Sequence, residues 1–285
     1  MTELAARRSS RTRARVRVVE DGRPVALRSD ELATEEPMET RLLIEGRPRP
    51  VAVTMRTPGA DFELAAGFLH GEGIITSADQ VARITYCVDA DLDHDQRYNI
   101  VNVEVRGPLD ADLRALDRHF YTNSSCGVCG KASIDALKVR SNGCLPAGAP
   151  LVSAEVIRGL PARLREGQGL FESTGGLHAA ALFTPGGDLR VLREDVGRHN
   201  AVDKVVGWGL LGGHLPLSDS ILVVSGRTSY EILQKAVAAA VPIVCAISAP
   251  SSLAVEVAEE FGVTLVGFLR GGRFNIYSGG ERIRA

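Results

Sequence analysis

The sequence carries one pair of cysteines with the spacing of a reactive or metal-binding motif. The segment is Thr122-Asn-Ser-Ser-Cys126-Gly-Val-Cys129-Gly-Lys131. Its small, polar residues show no apolar periodicity, so we predict a mobile loop over residues 121–131 in which both thiols reach each other and solvent. A neighbouring lysine favours the reactive thiolate. Such a loop could exchange disulfides, bind a metal or carry sulfur as a persulfide.

Zinc binding is one alternative, and it needs two ligands beyond the cysteine pair. Cys87, Cys144, His119 and His178 are the candidates, but none belongs to a second CxxC or HxxxH pattern. A zinc deaminase would need H-x-E followed by P-C-x-x-C. Ala180 stands where that glutamate should be, and the CxxC pair lies upstream of His178. Thiol chemistry is therefore favoured, with a zinc or redox-binding module as the open alternative.

Three later segments have the composition of anion-binding loops. Two of them follow an apolar strand and precede a helix, so they should share one edge of a parallel sheet, next to helix N-termini that suit phosphate. The third carries two arginines on a glycine loop, which suits an anionic group. Ordinary βα turns and exposed hairpin arginines remain the alternatives. The candidate cofactor-binding residues are Ser225, Gly226, Arg227, Ser248, Phe268, Leu269, Arg270, Gly271, Gly272 and Arg273.

A further polar cluster, Glu194-Asp-Val-Gly-Arg-His-Asn-Ala-Val-Asp-Lys204, lies at a predicted strand-to-helix junction. Such junctions are where α/β folds collect ligand-binding groups. In the alternative interpretation Asp195 caps the helix, while Arg198, Asp203 and Lys204 form a solvated face.

The elements that would position these groups fall into two patterns. The first hundred residues predict two hairpins, a helix around Phe62–Leu69 and two more strands, and a helix is expected at Asp110–Phe120. After Leu177 strands and helices alternate, which predicts a mixed or parallel sheet between helices. One of these helices opens with Thr228-Ser-Tyr-Glu231, which fits a capping box. We therefore expect an α/β fold, a three-layer sandwich with a smaller β-rich N-terminal lobe.

The distribution of charge adds to the predicted domain organisation. Six arginines among the first 17 residues predict a disordered basic tail, and the rest of the 285-residue chain has 27 basic against 34 acidic residues, a net charge of −7. That balance disfavours nucleic acid as a partner. The expected organisation is the tail at 1–17, a β-rich region with one helix at 18–120, the CxxC loop at 121–131 and an α/β domain at 132–285.

Other function classes are excluded by what the sequence lacks. With 45% hydrophobic residues the chain is expected to fold, and no segment approaches the roughly 18 apolar residues that span a bilayer. A secretory signal is not expected, and five cysteines in a chain of this length do not form a disulfide framework. The expected compartment is the reducing cytoplasm.

Taken together, these motifs resemble the formate dehydrogenase accessory sulfurtransferase family, FdhD. The likeness runs from about Glu36 to the C-terminus, and several long motifs in the same order are far more specific than a CxxC pair alone. The matching segments are Met55-Arg-Thr-Pro-Gly, Gly67-Phe-Leu-His-Gly-Glu-Gly, Ser124-Ser-Cys-Gly-Val-Cys-Gly-Lys131, Thr174-Gly-Gly-Leu-His-Ala-Ala180, Glu194 to Lys204, Ser225-Gly-Arg227 and Ser248-Ala-Pro250.

The resemblance implies a cytoplasmic sulfur carrier with a cytidine-deaminase-like α/β domain and a homodimeric assembly. It implies that Cys126 accepts sulfur from a cysteine desulfurase as a persulfide, with Cys129 in a secondary role. The sulfur then passes to a bound substrate, the molybdenum bis(molybdopterin guanine dinucleotide) cofactor, before insertion into formate dehydrogenase. Its guanine nucleotide ends, which GDP resembles, would bind the sheet-edge loops and Phe268–Arg273. No permanent metal is implied, and a cofactor chaperone without sulfur transfer remains a rival.

Overall fold

The computed structural model describes residues 9–23, 25–87, 97–107, 137, 145 and 148–284. Its helices are α1 (Asp61–Gly71), α2 (Ala154–Gly167), α3 (Gly169–Thr174), α4 (Arg198–Leu211), α5 (Tyr230–Ala238) and α6 (Ser252–Glu260). Its strands are β1 (Arg11–Val18), β2 (Ala26–Ala33), β3 (Glu36–Ile44), β4 (Arg47–Arg56), β5 (Val81–Tyr86), β6 (Ile100–Val105), β7 (Val152–Ser153), β8 (His178–Phe183), β9 (Leu189–Asp195), β10 (Ile221–Val224), β11 (Ile243–Ala246), β12 (Thr264–Arg270), β13 (Arg273–Ser278) and β14 (Ile283–Arg284).

The largest sheet has six strands in the order β13-β12-β11-β10-β8-β9. Strands β10, β11 and β12 are parallel, whereas β8 and β13 run antiparallel to their neighbours. All residues of β10 and β11 are buried. This explains their uninterrupted apolar sequences, because a strand covered on both faces has no solvent side on which to alternate.

Helices cover both faces of this sheet, which confirms the predicted three-layer α/β architecture. On one face α4, α5 and α6 pack against alternate strand residues such as Leu182, Leu222 and Val244. On the other face α2 packs against the intervening residues, among them Ala181 and Val223.

A second sheet, β4-β3-β6-β5, forms a separate core with α1. This lobe is attached to the α/β domain mainly through α1, which crosses α4 at very short range. A Cβ atom on Gly67 would lie 1.8 Å from the backbone oxygen of Asp203, and one on Gly207 would lie 1.8 Å from the backbone oxygen of Glu63. Glycine is required at both positions because the two helix backbones touch.

The N-terminal segment departs from the expected tail. We expected disorder through residue 17, but Arg11–Val18 form β1 and pair residue by residue with β2. The first of the two predicted hairpins is confirmed, with its turn at Asp21-Gly22 and its first strand beginning at Arg11. The arginine content favoured a tail, although the alternation from Ala14 onward is that of a strand whose outward positions carry arginine. Residues 1–8 lie outside the described residues.

Two further predicted elements, the helix at Asp110–Phe120 and the loop at 121–131, also lie outside the described residues. None of the helices in the described ranges is long and apolar enough to cross a membrane.

Candidate functional site

The three predicted anion-binding loops lie side by side at one edge of the main sheet. The backbone N–H of Thr228 donates to the Ala249 carbonyl at 3.2 Å, and that of Ser251 donates to the Thr228 carbonyl at 2.9 Å. The third loop joins them, because the Phe268 N–H donates to the Ser248 carbonyl at 3.0 Å. Parallel pairing of β10 with β11 brings the first two loops to the same edge, as predicted, and the pairing of β11 with β12 brings the third loop there as well.

The third loop has an unusual backbone. Phe268 has φ 51°, the left-handed region that bulky residues avoid, and the pairing of β12 with β13 shifts register after Gly267. Strain of this kind is concentrated at ligand-binding and active sites. Gly271 and Gly272 form the turn, both with positive φ. Leu269 packs into the core, so only its backbone is available to a ligand.

The loops present three arginine side chains to solvent. Arg227, Arg270 and Arg273 are exposed, and none of their guanidinium groups forms a hydrogen bond or ion pair with another residue in the described ranges. The Arg270 guanidinium lies 5.6 Å from the centre of the Phe268 ring. Guanidinium groups bind phosphate with paired hydrogen bonds, so this edge can hold an anion.

His178 and Arg198 flank these loops. A Cβ atom on Gly226 would lie 3.3 Å from Nδ1 of His178 and 3.6 Å from Cβ of Arg198, so both side chains pack against the turn that follows β10. The Ser225 hydroxyl accepts the Ala179 N–H at 2.9 Å and fixes this turn to β8. We did not include His178 or Arg198 among the candidate cofactor-binding residues.

A histidine–carboxylate pair continues this edge and replaces the predicted capping box. Helix α5 starts after Ser229, which makes no side-chain cap bond. Nε2 of His199 instead lies 2.7 Å from the Glu231 carboxylate and 3.1 Å from Oγ of Ser229. Burial raises the pKa of Glu231, but the hydrogen bond and charge of His199 outweigh it and leave that pKa lowered. The capping box was wrong because the helix starts one residue later, after Ser229, and His199 of α4 takes the Glu231 side chain.

A buried ion pair holds the first turn of α4 in place beneath this edge. Nζ of Lys204 lies 2.6 Å from the Asp195 carboxylate. That carboxylate also accepts hydrogen bonds from the N–H groups of Thr57 and Gly197 and from the Asn200 amide, at 2.8–3.1 Å. The solvated-face alternative is therefore wrong for Lys204, and both Asp195 and Lys204 tie the two lobes together through hydrogen bonds with the Thr57 backbone.

Asp203 is buried as well. Its carboxylate lies 2.7 Å from Nζ of Lys235, which joins α4 to α5. Burial raises the pKa of Asp203 to about 6 and outweighs the attraction of Lys235. The solvated-face alternative is wrong for Asp203 too. Asp195 and Asp203 are thus structural, whereas Arg198 and His199 are the members that reach the edge.

Only some of the remaining predicted site residues lie in the described part of the chain. Cys126 and Cys129 lie outside the described residues, as do the zinc candidates Cys144 and His119. Cys87 is buried at 3% exposure. Within the described ranges, no group of three or more His, Cys, Asp or Glu side chains is arranged to hold a metal ion.

The half-buried environment of His178 predicts that the stability of the protein depends on pH. Burial, followed by the charges of Arg198 and His199, lowers its pKa from the ordinary 6.5. Below about pH 6.5 His178 is protonated in the unfolded chain but still neutral in the folded one. Its contribution to stability is therefore lost as the pH falls below about 6.5. We expect His178→Gln to lose less thermal stability than the wild type between about pH 7.5 and 5.5. The exposed His214→Gln is the control, and an equal loss in H178Q would contradict the prediction.

The fold and the site together define an α/β protein in which three loops and three exposed arginines lie at one edge of a mixed sheet. A β-rich lobe is attached to it through touching helices and through hydrogen bonds between Thr57 and the Asp195–Lys204 pair. The chain belongs to the FdhD/NarQ family, whose model matches residues 34–284.

Relatives and a solved structure agree with this assignment. The chain is 51% identical over 272 residues to the sulfur carrier protein FdhD of Streptomyces avermitilis, which covers 95% of each chain. It is 47% identical over 266 residues to the protein of the same name from Mycobacterium tuberculosis, 91% of this chain and 94% of that one. A crystal structure described as a formate dehydrogenase accessory protein from Desulfotalea psychrophila superposes with TM-score 0.74 at 25% identity, covering 97% of this chain and all of that one.

Proposed function

We propose that this protein is a sulfur carrier that serves formate dehydrogenase. It accepts persulfide sulfur from a cysteine desulfurase and passes it to the molybdenum bis(molybdopterin guanine dinucleotide) cofactor before the cofactor enters the enzyme. The names of the relatives support the sulfur-carrier role, and the description of the solved structure supports the link to formate dehydrogenase. The reaction takes place in the cytoplasm, and the working unit is a homodimer.

Cys126 is the sulfur-carrying residue in this proposal. Its thiolate attacks the terminal sulfur of the donor persulfide, the sulfur–sulfur bond of the donor breaks, and the donor leaves as a thiolate. One sulfur atom moves and no external oxidant is needed. Because Lys131 lies close in sequence, its charge favours the thiolate that begins the reaction.

Cys129 provides a route for release of the sulfur. Its thiolate can attack the inner sulfur of the Cys126 persulfide, which forms a Cys126–Cys129 disulfide and expels the outer sulfur as hydrosulfide toward the cofactor. A thiol reductant then restores both cysteines.

The observation that carries the cofactor part of the proposal is the meeting of the three loops at one sheet edge. A guanine nucleotide end carries phosphates, and Arg227, Arg270 and Arg273 are exposed and free of ion pairs with other described residues. The first turn of α5 lies beside Arg227 and leaves backbone N–H groups that favour phosphate. The strained Phe268 adds an aromatic side chain beside Arg270.

GDP binding tests this assignment. We expect calorimetry to show saturable GDP binding by the wild type, and Arg227→Ala to weaken it by roughly 1.5–3 kcal/mol, about 10- to 150-fold, because a charge-assisted contact is lost. Arg158→Ala, an exposed arginine on α2, is the matched control and should bind GDP as the wild type does. Absence of saturation at millimolar GDP would contradict the assignment of this edge as a nucleotide site.

A further inference from the structure

We propose that the β1–β2 hairpin is a docking arm for the formate dehydrogenase polypeptide, and that its arginine face binds an acidic surface on that client. The inference rests on the proposed function, because the client is the protein that receives the cofactor.

The hairpin is a two-stranded sheet of its own; its arginine face is exposed, whereas Ala14, Val16 and Val18 on the other face are half-buried. Its distal half carries large apolar side chains in solvent: Val19 is 77% exposed, Val25 60% and Leu27 76%. An isolated two-stranded hairpin is only marginally stable in water. Exposed apolar groups on such a hairpin indicate a surface that a partner covers.

Charge determines the kind of partner. Arg11, Arg13, Arg15 and Arg17 alternate along β1 and are all exposed, so they project from one face. Glu31 faces them from β2 and lies 3.0 Å from Arg11 and 4.0 Å from Arg13. Arg15 and Arg17 form no ion pair with any residue in the described part of the chain. The face is therefore cationic and complementary to carboxylates.

The rest of the chain strengthens this selectivity. From residue 18 onward the chain carries a net charge of −7. An acidic partner is therefore repelled by most of the molecule and attracted by the hairpin, which orients the encounter.

The base of the hairpin lies next to the candidate site. Oγ of Ser10 donates to the Pro58 carbonyl at 2.7 Å, and a Cβ atom on Gly176 would lie 3.7 Å from the side chain of Ala33. Gly176 precedes His178 by two residues, and that histidine packs against the turn at Gly226. A protein held by the hairpin is thus held beside the sheet edge assigned to the cofactor. That position suits the recipient of the cofactor, which is why we assign the arm to the client.

The test compares two triple charge reversals in the full-length protein. Arg13→Glu/Arg15→Glu/Arg17→Glu changes the hairpin, and Arg47→Glu/Arg83→Glu/Arg158→Glu makes the same charge change at exposed positions on β4, β5 and α2. Binding of each variant to purified, cofactor-free formate dehydrogenase from the same organism is measured by biolayer interferometry at low and high salt. We expect the hairpin variant to bind roughly 30-fold more weakly at low salt, with the difference shrinking at high salt. The control should stay within about threefold of the wild type.

Four results would overturn the inference: equal losses in both variants, unchanged client binding by the hairpin variant, loss of desulfurase binding instead of client binding, or conversion of a dimer to a monomer by light scattering. The last would make the hairpin a contact between copies of this chain. GDP binding and sulfur loading by the same preparations separate the two proposals. If the wild type performs neither, the proposed function fails. If it performs both and binds the client without the arginines, only the docking arm fails.

Discussion

Replacing Cys126 with alanine is expected to abolish both sulfur loading and the activation of formate dehydrogenase. Cys126 supplies the attacking thiolate in the proposed mechanism, with Cys129 in a secondary role, and alanine has no sulfur on which a persulfide could form. Mass spectrometry after incubation with a cysteine desulfurase and cysteine should show one added sulfur on a wild-type peptide that spans Cys126, and none on the variant. In cells, formate dehydrogenase activity with C126A should fall to the level found without the protein.

Cys245→Ala is the matched control. Cys245 lies in β11 with no solvent exposure, and burial raises the pKa of its thiol, so it stays protonated and out of reach of a donor. This variant should load sulfur normally. We expect Cys87→Ala and Cys144→Ala to remain active too. If C126A supports full activity while GDP binding persists, the protein is a cofactor chaperone and the persulfide mechanism is wrong.

Gly207→Ala is expected to destabilise the protein by about 3 kcal/mol, the upper end of the usual cost of overpacking. The added methyl carbon would lie 1.8 Å from the Glu63 carbonyl oxygen, a backbone atom that no rotamer change can move away. Helices α1 and α4 must therefore separate, and the buried Asp195–Lys204 pair beneath the site is disturbed with them. Urea unfolding gives the free energy directly.

Gly159→Ala is expected to change the free energy of unfolding in the opposite direction in the same assay. Gly159 lies within α2, and nothing lies within 4 Å of the position of its Cβ atom. Alanine there should stabilise the protein by about 0.5–1 kcal/mol, because glycine loses more backbone entropy in a helix. A similar loss of stability in both variants would show that the helix contact is not what constrains Gly207.

Much of the architecture could be predicted from residue patterns, since it depends on local periodicity. Uninterrupted apolar tetrapeptides such as Ile221–Val224 indicate strands covered on both faces, and the helical patterns between them impose parallel pairing. That pairing alone places the loops after β10 and β11 at one edge. The motif from Glu194 to Lys204 was likewise recognisable, but its residues could not be divided into buried and accessible ones.

That division depends on contacts between residues far apart in the chain. Asp195 and Lys204 are buried because Thr57 and the β-rich lobe close over them, and the sequence around them gives no sign of this. The capping box failed for a related reason: His199, thirty-two residues before Glu231, takes the carboxylate that a local rule assigns to the helix end. His178 became a site residue only when β8 was found to run beside β10.

The sequence by itself determined the α/β class, the family motifs and the residues able to carry sulfur, because strand and helix periods and thiol chemistry are properties of short segments. Only the tertiary structure decided which charged residues are structural and which reach the sheet edge, that the arginine-rich N-terminus is a paired strand, and that two glycines hold the lobes together. The α1–α4 contact and the burial of Asp195 depend on residues more than a hundred positions away, and the ion pairs depend on how the helices pack, so no local pattern records these neighbours.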